Sequence, residues 1–372
     1  MRIGFDAKRA FRNFTGLGNY SRAAIAVLSE YYPDNQYYLY TTPYKPHPLL
    51  SFADKPNISI CRPAGRLKHL PSVWRYYGLG SNIAADKVEL FHGLAAELPA
   101  NLAKTTRSVV TIHDLIFLRY PEYYKFIDRK IYTHKYRSAC QRADLIIAIS
   151  QQTKEDIINF FGIDEQKIRI VYQGCDRQFY TQAGDEEKNK VKALYQLPDN
   201  YVLYVGTIEQ RKNLLTLVKA MELLPETLKL VVIGKPTSYF DTVQAYIKRH
   251  RLEERICFQH QVAFSDFSAI YQQAQVICYP SLFEGFGIPL LEALNSSVPL
   301  VASNCSSLPE AGGPNSLYVN PLDHEAMADA LRKAVEDETL RQLMIEEGIK
   351  YAANFREAAI AKNLWKVYQE LM

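Results

Sequence analysis

Apolar residues in this chain fall into short continuous runs, rich in β-branched and aromatic side chains, each followed by a stretch long enough for a helix. In the first half the runs cover Arg2–Asp6, Tyr37–Thr42, Ile58–Arg62, Leu90–Gly93, Val109–His113, Leu145–Ser150 and Ile168–Gln173. In the second half they cover Tyr201–Gly206, Leu228–Gly234, Ile256–Gln261, Val276–Pro280, Leu300–Ser303 and Leu317–Asn320. Most lack the apolar–polar alternation of a strand with one wet face, which predicts strands buried on both faces of a parallel sheet. Strands alternating with helices predict the α/β class, and because the plan occurs twice we expect two Rossmann-like, doubly wound domains. The polar stretch Asp176–Gly184 reads as the linker, giving an N-terminal domain over 1–180 and a C-terminal domain over 181–357. In the last segment, 358–372, Ile360, Leu364, Val367, Tyr368 and Leu371 recur at helical spacing and predict an amphipathic closing helix.

Composition agrees with this plan and narrows it. A chain of 372 residues is long for one core and suits two. With 48% hydrophobic and 23% charged residues it has the balance of a globular protein in water. No apolar run reaches the roughly 18 residues of a membrane span, and the opening MRIGFDAKRA lacks the apolar core of a signal peptide. Six cysteines (Cys61, Cys140, Cys175, Cys257, Cys278, Cys305) form neither a CxxC pair nor a Cys/His cluster, so we expect free thiols, no metal site and a cytoplasmic setting. Residues 1–177 hold 25 Lys and Arg against 16 Asp and Glu, and the remainder holds 19 against 24, which together give the net charge of +4. A basic first half fits an anionic partner such as a phosphate or a lipid surface, and fits ordinary scatter of solvated charge equally well.

The densest chemistry follows the run Val276–Pro280, in Ser281-Leu-Phe-Glu-Gly-Phe-Gly-Ile-Pro-Leu-Leu-Glu. Pro289 suits the first position of a helix. Gly285 and Gly287 make a loop whose backbone can approach a ligand, and the helix start favours an anion such as a diphosphate. Glu292 falls in the expected first turn, where a carboxylate accepts from vicinal hydroxyls such as those of a ribose. Glu284 stands at the strand's carboxyl end, where α/β sheets bind ligands. A capping glutamate in a plain loop gives the same pattern. A second element, Tyr201-Val-Leu-Tyr-Val-Gly-Thr-Ile-Glu-Gln-Arg-Lys-Asn, ends a buried strand at Gly206 and places Arg211 and Lys212 before a helix that Asn213 is positioned to cap. Two cations beside a strand end neutralise a diphosphate and stabilise it as a leaving group.

The first half offers a fainter signal. Gly16 and Gly18, in Thr15-Gly-Leu-Gly-Asn, permit a tight turn with backbone near a phosphate. His113 and Asp114 end the run Val109–His113, where the imidazole is placed to hydrogen-bond a sugar or acceptor and Asp114 to orient it, although a lone histidine is more often structural. His92 is a further acceptor-pocket candidate. Segments 66–77 and 119–137 mix aromatic and basic residues in the manner of a lipid interface, and equally of a helix packed on a sheet with a basic edge. No nucleic-acid-binding module appears.

Together these residues resemble the retaining glycosyltransferases of family four, which have the GT-B fold: Glu284 and Glu292 eight apart around a GFG loop, preceded by VGT…RKN. TIHDL at 111–115, RYPE at 119–122, AIS at 148–150, VYQGCD at 171–176 and LPEAGG at 308–313 extend the resemblance over nearly the whole chain, with bacterial mannosyltransferases of polysaccharide assembly as the nearest likeness. The resemblance implies two Rossmann-like domains facing a central cleft, with the closing helix packing back toward the first domain. It implies that Glu292 binds the ribose, Glu284 the transferred sugar, and Arg211 and Lys212 the diphosphate beside Gly206. The backbone of Gly285, Phe286, Gly287 and Ile288 would hold sugar and diphosphate, Val262 would lie beside the base, and Gly16 and Gly18 would close over the donor. Glu310 is either near the site or a helix cap.

The activity implied is transfer of a hexose, mannose first among the choices, from a nucleotide-sugar to a glycan or lipid-linked saccharide, with retention and without a metal. The donor would be GDP-mannose or another GDP- or UDP-sugar, with no separate cofactor, and the protein would touch the anionic inner face of a membrane. A nucleotide-sugar epimerase of the same fold and a non-catalytic scaffold are the alternatives.

Overall fold

The computed structural model describes residues 1–64 and 69–372. Every predicted strand forms. The first sheet contains β1 (Arg2–Asp6), β2 (Gln36–Tyr40), β3 (Ile58–Cys61), β4 (Leu90–Gly93), β5 (Arg107–Ile112), β6 (Leu145–Ala148) and β7 (Ile168–Ile170). The second contains β8 (Tyr201–Val205), β9 (Lys229–Ile233), β10 (Ile256–Gln259), β11 (Val276–Tyr279), β12 (Leu300–Ser303) and β13 (Leu317–Val319). The spatial orders are β3-β2-β1-β4-β5-β6-β7 and β10-β9-β8-β11-β12-β13, and all the strand pairs are parallel. Each sheet reverses its winding once, between β1 and β4 and between β8 and β11. The connections leaving two such strands diverge to opposite faces and open a crevice at their carboxyl ends.

The sequence explains which strands run through the middle. Every residue of β4 (LFHG), β6 (LIIA), β8 (YVLYV), β11 (VICY) and β12 (LVAS) is buried, since helices cover both faces. The edge strands β3 (ISIC) and β10 (ICFQ) keep more of their surface. Helix boundaries follow local chemistry. Ser150 accepts the Thr153 N–H to open helix Gln151–Phe161, and Gly162 closes it in the left-handed conformation at φ +67°. Asp323 opens His324–Glu336 by accepting the Ala326 N–H.

Contacts divide the chain into one unit of Met1–Gln173 with Glu357–Met372 and a second of Gly174–Arg356. The break after Gln173 precedes the expected one at 180/181. The reason is Phe179, fully buried with its ring 5.2 Å from that of Tyr271 in the second unit, which anchors the expected linker to that unit's core. The closing helix, Glu357–Gln369, belongs to the first unit. There Trp365 stacks on Tyr32 at 4.4 Å, and the Tyr368 hydroxyl meets His92 Nδ1 at 2.6 Å.

Candidate functional site

The chemistry of the second unit gathers where β8 and β11 diverge. Gly206 follows β8 at φ +155°, and a Cβ there would stand 3.1 Å from Lys212 Cδ, so glycine lets the lysine stem lie along the backbone. A short 3-10 turn, Gln210–Lys212, leads to Asn213 in the left-handed region at φ +55°, which Asn tolerates. Asn213 occupies the helix-cap position, but its side chain does other work. Its Nδ2 donates to the carbonyls of Pro280 at 3.1 Å and Pro321 at 2.7 Å, tying the β8 loop to the exit of β11. Opposite, the Glu284 N–H donates to Ser306 Oγ at 3.0 Å, and Ser307 Oγ donates to the carbonyls of Glu284 and Phe286.

These constraints bring residues 72 positions apart into one ion-pair cluster. Lys212 Nζ lies 3.0 Å from Glu284 Oε1, and Arg211 Nη1 lies 2.9 Å from Glu284 Oε2. Lys212 also donates to the Tyr279 hydroxyl at 2.6 Å, Ser281 Oγ donates to Glu284 Oε1 at 2.9 Å, and Arg211 Nη2 is held by Glu209 at 2.6 Å. Burial alone would raise the pKa of Glu284, but Lys212 and then Arg211 outweigh it and hold the carboxylate at about 2. Burial likewise disfavours charge on Lys212, and Glu284 more than restores it, leaving the ammonium above its usual range. The result is two fixed cations and one fixed carboxylate at the carboxyl ends of β8 and β11, an arrangement with the chemistry to take an anion and a hydroxyl side by side. Sequence reasoning missed Tyr279, Ser281 and Glu209. All three lie within five residues of a predicted site residue, which was the available signal.

The GFG loop leads into helix Ile288–Asn295, whose first turn has no side-chain cap. Gly287, at φ +124°, needs glycine, and Phe286 is a core residue with its ring 5.9 Å from Phe355, so only its backbone faces the chemistry proposed for it. The helix starts one residue earlier than expected, at Ile288, so Pro289 is its second residue and Glu292 its fifth, in the second turn. Glu292 is buried and accepts from the Tyr271 hydroxyl at 2.6 Å. Burial first, then the charge of Asp176, raises its pKa to about 7 although the Tyr271 bond lowers it. Tyr271, from a short helix 21 residues upstream, carries no local sequence signal. Val262 is half-buried in the loop after β10, separated from the cluster by β9. Glu310 lies in the first turn of Leu308–Gly312, where its carbonyl accepts from Tyr351 at 2.7 Å.

In the first unit Gly16 and Gly18 do not form a left-handed turn; both lie in helix Gly16–Tyr31. Gly18 has a structural reason to be glycine, because a Cβ would stand 1.6 Å from the Asn13 carbonyl oxygen, whereas one at Gly16 would meet nothing within 4 Å. His113 is buried, and its Nε2 meets the Leu94 carbonyl at 2.9 Å. A carbonyl only accepts, so Nε2 carries the proton and Nδ1 is an acceptor. Burial lowers the His113 pKa to about 4, with Arg9 adding to the effect and the Leu94 bond opposing it. Leu94 orients the ring; Asp114 instead accepts the Ile116 N–H at 3.1 Å at the start of a short helix. His92 is not an acceptor-pocket residue: fully buried, it spends both ring nitrogens, on Tyr368 and on Thr111 Oγ1 at 2.8 Å.

Of the segment 66–77, Arg66, Leu67 and Lys68 lie outside the described residues, while Trp74 is buried and Tyr77 is exposed. In 119–137 Tyr124 and Tyr136 are partly buried against Phe117 at 6.3 and 5.1 Å, while Tyr132, 5.7 Å from the same ring, stays 40% exposed. Phe126, Ile127 and Ile131 are exposed with it. Among the described residues no helix is long and apolar enough to cross a membrane.

Residues 26–179 match the family described as Glycosyltransferase Family 4, and residues 185–351 match Glycosyl transferases group 1. O-antigen chain mannosyltransferase B of Escherichia coli is 32% identical over 272 residues, covering 72% of this chain and 70% of that protein. O-antigen chain mannosyltransferase RfbU of Salmonella typhimurium is 26% identical over 223 residues, 60% of this chain and 59% of that one. Neither is a nucleotide-sugar epimerase. Among solved structures, Anabaena Alr3699/HepE in complex with UDP-glucose superposes with a TM-score of 0.78 at 16% identity, covering both chains in full. Sucrose-phosphate synthase from Thermosynechococcus elongatus does so at 0.77 and 20% identity, covering 100% of this chain and 99% of the other.

Proposed function

The chain belongs to glycosyltransferase family 4 and has the GT-B fold, and from that membership we propose that it is a retaining, metal-independent mannosyltransferase acting on a glycan or lipid-linked saccharide. The observation that carries this reading is the cluster in which Glu284 joins Arg211 and Lys212 at the β8–β11 crevice. With GDP-mannose as donor, the two cations take the diphosphate, and Glu284, ionised at any ordinary pH, accepts from hydroxyls of the mannose. Glu292 accepts from the ribose, backbone N–H groups near Gly287 and Ile288 meet the diphosphate or sugar, and Val262 lies beside the base. The family resemblance assigns two groups of the first unit to the same reaction, Gly16 to the diphosphate and His113 to a sugar hydroxyl, for which its Nδ1 is the acceptor.

In the reaction the bond from the anomeric carbon to the diphosphate oxygen breaks, and the electron pair leaves with the diphosphate. The acceptor oxygen bonds to the same face of that carbon, and its proton passes to the departing phosphate oxygen. Arg211 and Lys212 stabilise the charge that develops there, so the step requires no metal. O-antigen mannosyltransferases among the relatives support mannose as the sugar. Exposed Phe126, Ile127 and Ile131 beside Lys125, Arg129 and Lys130 support contact with an anionic membrane that presents the acceptor.

The test is a thermal-shift screen of GDP- and UDP-sugars followed by product analysis. A donor at a hundred times its Kd adds about 2.7 kcal/mol of apparent stability. GDP-mannose should give the largest shift, and the product should be an α-mannoside. A chain that no nucleotide-sugar stabilises, and that neither transfers nor hydrolyses one, is not this enzyme.

A further inference from the structure

Among the described residues, seven that are not glycine hold a left-handed backbone conformation. Four of them, Lys87, Gln196, Arg251 and Ser297, stand at or just past the end of an α-helix, where that conformation closes the last turn. Ser306, at φ +54°, has no such reason. It lies in the loop leaving β12 and precedes a helix, Leu308–Gly312, rather than ending one. A side chain with a Cβ bears a conformational cost there that glycine would not. Strain of this kind persists only where the surroundings over-determine it, and it concentrates at functional sites.

The hydroxyl explains why a serine is there. β12 lies beside β11, and three consecutive side chains of its exit loop hold the backbone of the loop that carries Glu284. Cys305 Sγ donates to the Leu282 carbonyl at 3.1 Å, and Ser307 Oγ donates to the carbonyls of Glu284 and Phe286 at 2.9 and 2.8 Å. Ser306 alone of the three accepts, taking the Glu284 N–H at 3.0 Å. The peptide groups on both sides of the Glu284 Cα are therefore fixed, one by Ser306 and one by Ser307. From that anchored Cα the carboxylate reaches Lys212 Nζ at 3.0 Å and Arg211 Nη1 at 2.9 Å.

We propose that Ser306 is a positioning residue for the transfer: by holding the Glu284 N–H it sets where the Glu284 carboxylate meets the transferred sugar. The assignment rests on the glycosyltransferase reading above. Without the hydroxyl, the Glu284 N–H loses its acceptor, and the loop shifts to find another. A misplacement of about 1 Å at a reacting centre can cost about a hundredfold in rate. The two cations keep supports of their own, Lys212 on the Tyr279 hydroxyl and Arg211 on Glu209. A nucleoside diphosphate, which has no sugar for Glu284 to read, should therefore bind much as before. The loss falls on the intact donor and on turnover.

The experiment compares Ser306→Gly, Ser306→Ala and Ser306→Thr with the wild type. It reads Tm, the Kd of GDP-mannose and of GDP by calorimetry, and kcat for GDP-mannose turnover to methyl α-mannopyranoside or to water. UDP-glucose and UDP take their place if the wild type prefers them. Gly and Ala both remove the hydroxyl, so each should weaken GDP-mannose binding and lower kcat at least tenfold, while the Kd of GDP changes less than threefold. Gly relieves the left-handed strain and Ala does not, so Gly should melt above Ala although the two lose the same activity within threefold. Thr keeps the oxygen under greater strain, so it should melt below the wild type and keep kcat within threefold of it. A merely structural serine would make activity follow Tm, with Gly more active than Ala and Thr the poorest. That ranking, a folded Gly variant with wild-type kcat, or GDP binding lost in step with GDP-mannose overturns the proposal. If Thr does not fold, the Gly and Ala variants decide the matter by the same criteria. A wild type that neither binds nor turns over GDP-mannose or UDP-glucose overturns the function proposed above instead.

Discussion

Replacing Glu292 by Gln isolates the cost of burying one charge. The ordinary glutamate value of 4.5 rises to about 7 at this position, chiefly through burial. That displacement corresponds to about 3 kcal/mol at about 1.4 kcal/mol per pH unit. Because the folded value is the raised one, the associated stability is fully present below pH 4.5 and is lost as the pH climbs through 7. Gln keeps an oxygen for the Tyr271 hydroxyl and never ionises. E292Q should therefore melt with the wild type near pH 5 and above it at pH 8.5, by up to about 3 kcal/mol. In a unit of this size each kcal/mol moves Tm by about 2–4 °C, so the gap should open to roughly 6–12 °C. Scanning fluorimetry without nucleotide, at half-unit steps of pH, reads it directly. Parallel curves, or an E292Q protein that melts lower at pH 8.5, would refute the reasoning. The same charge should govern the donor. If the ribose hydroxyls are held by the ionised carboxylate, GDP-mannose affinity should rise about tenfold per pH unit from 5 toward 7 and level off above it, and E292Q should abolish that slope.

Lys212→Ala and Glu284→Ala should each lower kcat by about a hundredfold or more while leaving a folded protein, since removing one preorganised electrostatic contact typically costs 10²–10³; product formation at wild-type rate in either would sink the assignment. Gly18→Ala forces a Cβ into the Asn13 carbonyl and should cost about 1–3 kcal/mol, read as a lower Tm, whereas Gly16→Ala has open space and should leave Tm unchanged while raising the donor KM. Transfer should persist in excess EDTA after dialysis, and a loss of activity restored by Mg²⁺ or Mn²⁺ would contradict the cation-only stabilisation of the leaving group.

Strand positions were legible because a parallel sheet covered on both faces demands apolar side chains at nearly every position, and runs such as LIIA and YVLYV have no other ready use. The pairing of Lys212 with Glu284 was not legible as geometry. It depends on β8 and β11 being neighbours, a fact of sheet order, and the chain between them contains two further strands. Gly18 shows the opposite failure. GLG looks like a phosphate loop in sequence, but one of its glycines answers to a carbonyl oxygen of its own chain. The domain boundary is hidden in the sequence because the polar stretch after β7 carries Phe179, whose burial decides which unit owns it.

Glu284 resolves a difficulty that the two cations create together. Arg211 and Lys212 standing side by side at a buried crevice repel one another, and each loses hydration. A carboxylate that bridges both offsets the repulsion and fixes their positions before any diphosphate arrives, while Glu209 holds Nη2 of the arginine and the Phe283 carbonyl accepts from Nη1 beside Glu284. When two phosphates take over the cations, Glu284 becomes the surplus negative charge and gains by turning its lone pairs to sugar hydroxyls. The residue that stabilises the site between turnovers is thus the one placed to read the sugar. A neutral Gln at 284 should weaken both roles at once: it bridges the cations poorly and accepts sugar hydroxyls less strongly, so donor KM and kcat should worsen together.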